Sequence, residues 1–502
     1  LHLLFDVVSV DKGGCKRKRE NLKICGYDFS FLPFFMRRFD TFAPLNTPAP
    51  EKKSRSTGRI FLWVLSLLAS VGAGFGAGWF GHTHRAQQIE RQRWELARRP
   101  WPAQQRAARP IIAPTDPPLE LAPAPTPPSQ WRLDREHTGR SGYVLPHEPS
   151  IYREIRTQDR VTAQPVLLRL RGGRAPNTQT ATELLIVGSH DGALYGVDAL
   201  DATIRWRTLT GDRVYSTALV TATPTLYVGT DNDRFFSVEP QSNRGSVQWA
   251  LATDDDADTS AGQADDGTIR FSAGRVLYAV RPDLTVLWRL ALPSKLYSSP
   301  VVLADGTTLL GCQDDKIYCI TPQGTVRWSF ATGADVDATP AVMADSVYVG
   351  SDDGYLYALQ ISTGHLQWKT RLGGFVRAGV ALGLDQSLVV GTFGPSPRVV
   401  SLDRDTGRQR WSVAVEGGPP TAEWGVLSSA LIDREGRIAV GTPLGQLWLI
   451  ERDGRVTAKV NLGSAIDSSP VLIRDGVIAV GSDGGTVFLL ADIPRPPEIS
   501  GH

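Results

Sequence analysis

The stretch AVMADSVYVGSDDGYLYALQISTGHLQW, Ala341 to Trp368, decides the fold. Val347, Tyr348 and Val349, and then Tyr355 to Leu359, are the β-branched and aromatic residues that half-buried strands prefer. Ser351-Asp352-Asp353-Gly354 between them is turn chemistry, with Gly354 free to take the positive φ of a hairpin. Thr363-Gly364 makes a second turn before a last strand ending in Trp368. The stretch therefore reads as four short antiparallel strands.

The pattern repeats from Trp131 to Asp492. Trp206, Trp249, Trp288, Trp328, Trp368 and Trp411 close successive units, at steps of 43, 39, 40, 40 and 43 residues. That is the length of a four-stranded propeller blade, and the fixed spacing assigns these tryptophans to packing between blades. A seventh unit has Ala458 where Trp is expected, and the last, Ile466 to Leu490, supplies only three strands. Ser129-Gln130-Trp131-Arg132 is placed to donate the missing outer strand and remove the open sheet edge. The expected architecture is all-β, an eight-bladed propeller over residues 129–492 with a short tail at 493–502.

The N-terminal quarter is different. Residues 1–59 read as a basic, disordered segment; Met36 and Met343 are the two methionines, and synthesis is expected to begin at Met36. Ile60 to Phe80 is a run of 21 uncharged residues. At ~1.5 Å per residue a helix of this length crosses a hydrocarbon core, so one transmembrane helix is expected. Lys52, Lys53, Arg55 and Arg59 precede it and five arginines follow within residues 85–99, so charge alone sets no orientation. An inside N-terminus is the expectation for a first span. Gly72/Gly76 and Gly74/Gly78 have the spacing that lets membrane helices approach, which allows self-association. Residues 81–128 are a charged helical stretch followed by a spacer with ten prolines between 100 and 128.

The formal charge of +2 creates no global field for nucleic acid. Four cysteines make no disulfide framework, and Cys312 and Cys319 are expected to stay free. HExxH, GxSxG and GxxxxGK[ST] are all missing. Asp254, Asp256 and Asp258 have the alternating-carboxylate spacing of a calcium loop, without its glycine or its twelfth-position Glu. A solvated acidic loop is expected there, and Asp231-Asn232-Asp233 reads as a plain hairpin turn. Aligning the units places Thr162, Tyr215, Asp258, Tyr297, Asp337, Arg377, Leu427 and Asp467 at one equivalent position per blade, at the start of its innermost strand. Tyr215, Asp258, Tyr297, Asp337, Arg377 and Asp467 are the candidate contacts at the channel mouth.

LYALQISTGHLQW (356–368), VVSLDRDTGRQRW (399–411) and LYGVDALDATIRW (194–206) resemble the repeat of pyrroloquinoline-quinone-type β-propellers. Within that superfamily the chain is most similar to the non-enzymatic BamB-like propellers. The resemblance implies an exported protein-interaction scaffold, acting in outer-membrane protein assembly or a related envelope role, with envelope proteins or extended peptides as partners. Together with the expected span it gives a single-pass protein of the bacterial inner membrane with its propeller in the periplasm. The enzymatic relatives imply a pyrroloquinoline quinone and calcium site with a vicinal cysteine pair, and no two cysteines are adjacent here. No cofactor is therefore expected. A quinone-dependent oxidoreductase is the first alternative and a ligand-sensing domain the second.

Overall fold

The computed structural model describes residues 130–170, 182–418 and 424–492. The expected transmembrane helix at 60–80, the linker and the tail at 493–502 lie outside the described residues. No helix of the described residues is long and apolar enough to cross a membrane. Every regular element among them is a strand, and the strands form eight antiparallel four-stranded sheets, one per sequence repeat. We number these blades 1 to 8 in chain order.

Blade 5 shows how the sequence produces the unit. Its strands are Ala341–Met343, Ser346–Gly350, Tyr355–Gln360 and Leu366–Arg371, running from the innermost to the outermost. Gly354 takes φ 82° and Gly364 φ 74° at the two turns, where a side-chain-bearing residue would be strained. The register slips one residue before Trp368, so Ala358 faces Trp368 while Leu359 faces Leu366. The same bulge precedes the last-strand Trp of blades 1 to 6, and re-aims it. The two middle strands of each blade are buried on both faces, so their side chains form apolar layers between neighbouring sheets.

The ring closes differently from the expectation. Blade 8 is completed by Pro149–Arg156, which pairs antiparallel with Thr486–Asp492. Residues 130–132 are not a strand. Ile155 of PSIYREIR is buried in the apolar cluster at the junction of blades 8 and 1.

Five of the six repeat tryptophans dock on the next blade. Trp206, Trp288, Trp328, Trp368 and Trp411 donate Nε1–H to the carbonyls of Gln241, Pro322, Ile361, Arg404 and Arg452 at 2.7–2.9 Å. Each ring lies against a glycine there, Gly245, Gly324, Gly364, Gly407 or Gly454, where a Cβ would collide with it. Trp249 must be corrected: it is 54% exposed. The glycine position facing it is Leu284, buried and at φ 63°, and the Tyr227 hydroxyl takes the Pro282 carbonyl at 2.8 Å. An aromatic stack of Phe235, Phe271 and Tyr278 packs this blade junction instead.

Candidate functional site: the two ends of the channel

The innermost strands of all blades start at one end of the channel and finish at the other. Near their starts a hydroxyl belt joins blade to blade. The backbone N–H groups of Gln164, Thr217, Ser260 and Ser299 donate to the hydroxyls of Thr217, Ser260, Ser299 and Thr339 at 2.9–3.1 Å. Gly379 and Ser429 continue the belt to Ser429 and Ser469. Gly379 itself offers no hydroxyl, and there the Arg132 side chain lies beside the belt.

Arg132 belongs to a segment that fills the far end. It is 2% exposed, and its Nη1 and Nη2 donate to the Ala430 and Val380 carbonyls at 2.7 and 2.8 Å. Carbonyls of Glu136, Thr138 and Gly139 accept from the N–H groups of Val342, Leu382 and Ile432, on the innermost strands of blades 5, 6 and 7. Arg135 pairs with Asp265 of blade 3 at 2.6 Å, so the segment crosses the channel. His137 is buried within it; burial, and then the Arg132 charge, push its imidazole down to about 3, against a smaller opposing effect of the Pro340 carbonyl. His137 is thus an uncharged part of a plug.

The eight aligned residues lie at the opposite, open end, each four positions before its innermost strand. Tyr215 and Tyr297 are 37% and 47% exposed and flank Asp258 from the blades on either side. Thr162 bonds His190 Nε2 at 2.8 Å, and the His190 ring lies 4.1 Å from that of Tyr215. Arg377 forms a two-pronged pair with Asp352, at 2.6 Å for the closest contact, and lies over Phe375 and Phe393. Asp337 accepts from Gln313 at 3.4 Å. Leu427 contributes a half-buried apolar side chain.

Asp258 meets a partner that spacing along the chain hides. Asp231, in the hairpin turn of blade 2, and Asp256 approach it closely enough that one oxygen of each lies within 4.8 Å of the others. Three such oxygens can hold a hard cation or share protons. Asp254 is not in the group; it pairs with Arg289 at 2.9 Å. Burial holds both Asp231 and Asp258 above the usual carboxylate range; the contact between the two carboxyls raises Asp231 further and pulls Asp258 down, against the raising effect of nearby Asp256. Asp256, Asp337 and Asp467 are each raised to about 6, chiefly by burial and next by neighbouring Asp231, Asp352 and Asp483 respectively. Arg213 and Arg160 reach Asp231 and Asp483 only at 3.8 and 3.6 Å. The open mouth is thus lined by carboxyls raised above their usual range, with exposed aromatic rings at blades 2 and 4. Cys312 and Cys319 are free and buried within blade 4.

The family model described as outer membrane protein assembly factor BamB matches residues 272–423 and 397–493. No curated protein matches the sequence. Among solved structures, BamB from Moraxella catarrhalis is similar at 17% identity and a TM-score of 0.55, covering 68% of this chain and all of that one. A europium-containing methanol dehydrogenase is 11% identical with a TM-score of 0.58, covering 72% of this chain and 98% of that one. The quinohemoprotein alcohol dehydrogenase from Comamonas testosteroni is 12% identical with a TM-score of 0.59, covering 82% and 85%. At such identities the likeness is one of fold. The repeats and the eight four-stranded sheets make the chain an eight-bladed β-propeller, and over residues 272–493 its repeat is similar to that of the BamB family model.

Proposed function

We propose that this propeller is a non-catalytic docking module of the bacterial envelope, held at the inner membrane by residues 60–80 with the propeller on the periplasmic side. Its open mouth takes a basic, extended segment of another envelope protein. The observation that carries this reading is the mouth itself: raised carboxyls of Asp258 and Asp337 on the blades next to exposed Tyr215 and Tyr297, with Asp467 at the same position of blade 8. Such a surface suits Lys or Arg side chains, through ion pairs and cation–π contacts. The BamB description of the matching family model supports a protein partner.

The fold shared with two dehydrogenases supports a quinone-dependent oxidoreductase as the second reading. Pyrroloquinoline quinone is a tricarboxylate and needs cationic donors. Arg377 is held in a tight pair by Asp352, and the carboxyls of Asp231, Asp256, Asp258, Asp337, Asp467 and Asp483 outnumber Arg213 and Arg160, so the mouth does not fit that group on charge.

Crosslinking in intact membranes followed by mass spectrometry tests the docking reading. Peptides rich in Lys or Arg are expected at the mouth, and Asp258→Lys with Asp337→Lys should reduce their capture at least tenfold. Unchanged capture by that double variant overturns it. A spectral change and thermal shift on adding pyrroloquinoline quinone with Ca²⁺ to the purified protein would favour the oxidoreductase.

A further inference from the structure

The outermost strand of each blade presents a free edge, and proteins ordinarily protect such edges with charge. Seven of the eight follow that rule: Arg207, Arg289, Arg327, Lys369, Arg410 and Lys459 mark blades 1 and 3 to 7, and Arg153 with Glu154 marks the closing strand of blade 8. Blade 2 does not. Its outer strand, Gly245–Ala252, reads GSVQWALA and carries no charge over eight residues. It also carries Trp249, turned out of the blade junction, and the neighbouring strand of blade 3 begins with exposed Val286 and Leu287. Gln248 is bonded back to Glu239 at 2.8 Å, which leaves Trp249 as the leading group of the edge.

We infer that two copies of this chain pair antiparallel along Gly245–Ala252, with a two-fold axis beside Trp249. A two-fold contact sets each surface against itself. On the other rim strands of blades 1 and 3 to 7 that pairing brings basic residues together, which is destabilising. On this strand it brings none, completes a row of backbone hydrogen bonds, and lays one indole against its own copy. A foreign strand would find no charge here to recognise. Exposure of Trp249 has a structural cause in Leu284, and the uncharged edge is a separate observation; both point to the same strand.

The full chain in detergent should sediment as a reversible dimer, and Trp249→Lys or Gln248→Lys should raise the dissociation constant at least tenfold while leaving the circular dichroism unchanged. Mild oxidation of Trp249→Cys should give a covalent dimer, and Arg327→Cys, on a protected rim strand, should not. That pair separates edge pairing from association through the apolar segment. A monomer at ~100 µM, no crosslink at position 249, or equal crosslinking at both positions overturns the inference. So does crosslinking of position 249 in membranes to a different protein alone.

Discussion

Replacing Trp206 and Trp249 by alanine, one at a time, separates two tryptophans that occupy the same place in consecutive repeats. Trp206 is 6% exposed, packs on Gly245, and donates to the Gln241 carbonyl at 2.9 Å. Truncating a buried Trp costs ~3–5 kcal/mol, and the stranded carbonyl adds ~1 kcal/mol. Trp249 is 54% exposed, and Tyr227 already holds the carbonyl it would otherwise take. Its loss should cost less than ~1 kcal/mol, the level of an ordinary surface change. Urea unfolding followed by circular dichroism reads both without relying on the fluorescence of the residue removed. Trp206→Phe, which keeps a ring and loses the donor, should fall between them. The reasoning is refuted if Trp249→Ala destabilises as much as Trp206→Ala, because a docked and an undocked ring would then be equivalent. Measurements below the dimer dissociation constant keep self-association out of the comparison.

Arg132→Met should destabilise by ~2–5 kcal/mol, because it leaves the Ala430 and Val380 carbonyls unpaired in the channel. Trypsin should then cut after Arg135 or Arg140 at least tenfold faster, and an unchanged digestion rate counts against the plug. Raised carboxyls make the folded state bind more protons than the unfolded chain from about pH 4 upwards, so the mouth's contribution is greatest below that and is lost as pH rises through about 6 and above. Asp258→Asn should therefore raise stability at pH 8 and leave it unchanged at pH 3, where the carboxyl is protonated in both folded and unfolded chain, as read by thermal melts. Deleting residues 149–156 leaves Thr486–Asp492 as an open edge, and should give aggregation in place of a single cooperative melt.

The spacing of tryptophans and turns made the blade count readable, because each blade is a local unit whose strands follow one another in sequence. Closure was not readable in the same way. Pairing of Pro149–Arg156 with Thr486–Asp492 spans the whole ring, and no local signal in the sequence around Arg132 revealed that this residue enters the channel instead. Trp249 shows the limit of periodicity, since its docking place is decided by Leu284 in the next repeat. The mouth was legible as a ring of aligned positions. Its strongest feature, Asp231 against Asp256 and Asp258, joins a turn of one blade to the loop entering the next, and spacing along a chain does not encode that neighbour.

Among the described residues, Pro149–Arg156 precedes every blade in synthesis, while the strand it pairs with, Thr486–Asp492, is the last one made. Some 330 residues separate them, which at ~5–20 residues per second is a delay of roughly 15–70 s. Throughout that interval blade 8 does not exist and the ring has two unpaired ends. The ring therefore closes only after Thr486–Asp492 has been made. A chaperone that holds residues 149–156 in extended form would act on this timing, without touching any blade that has already folded.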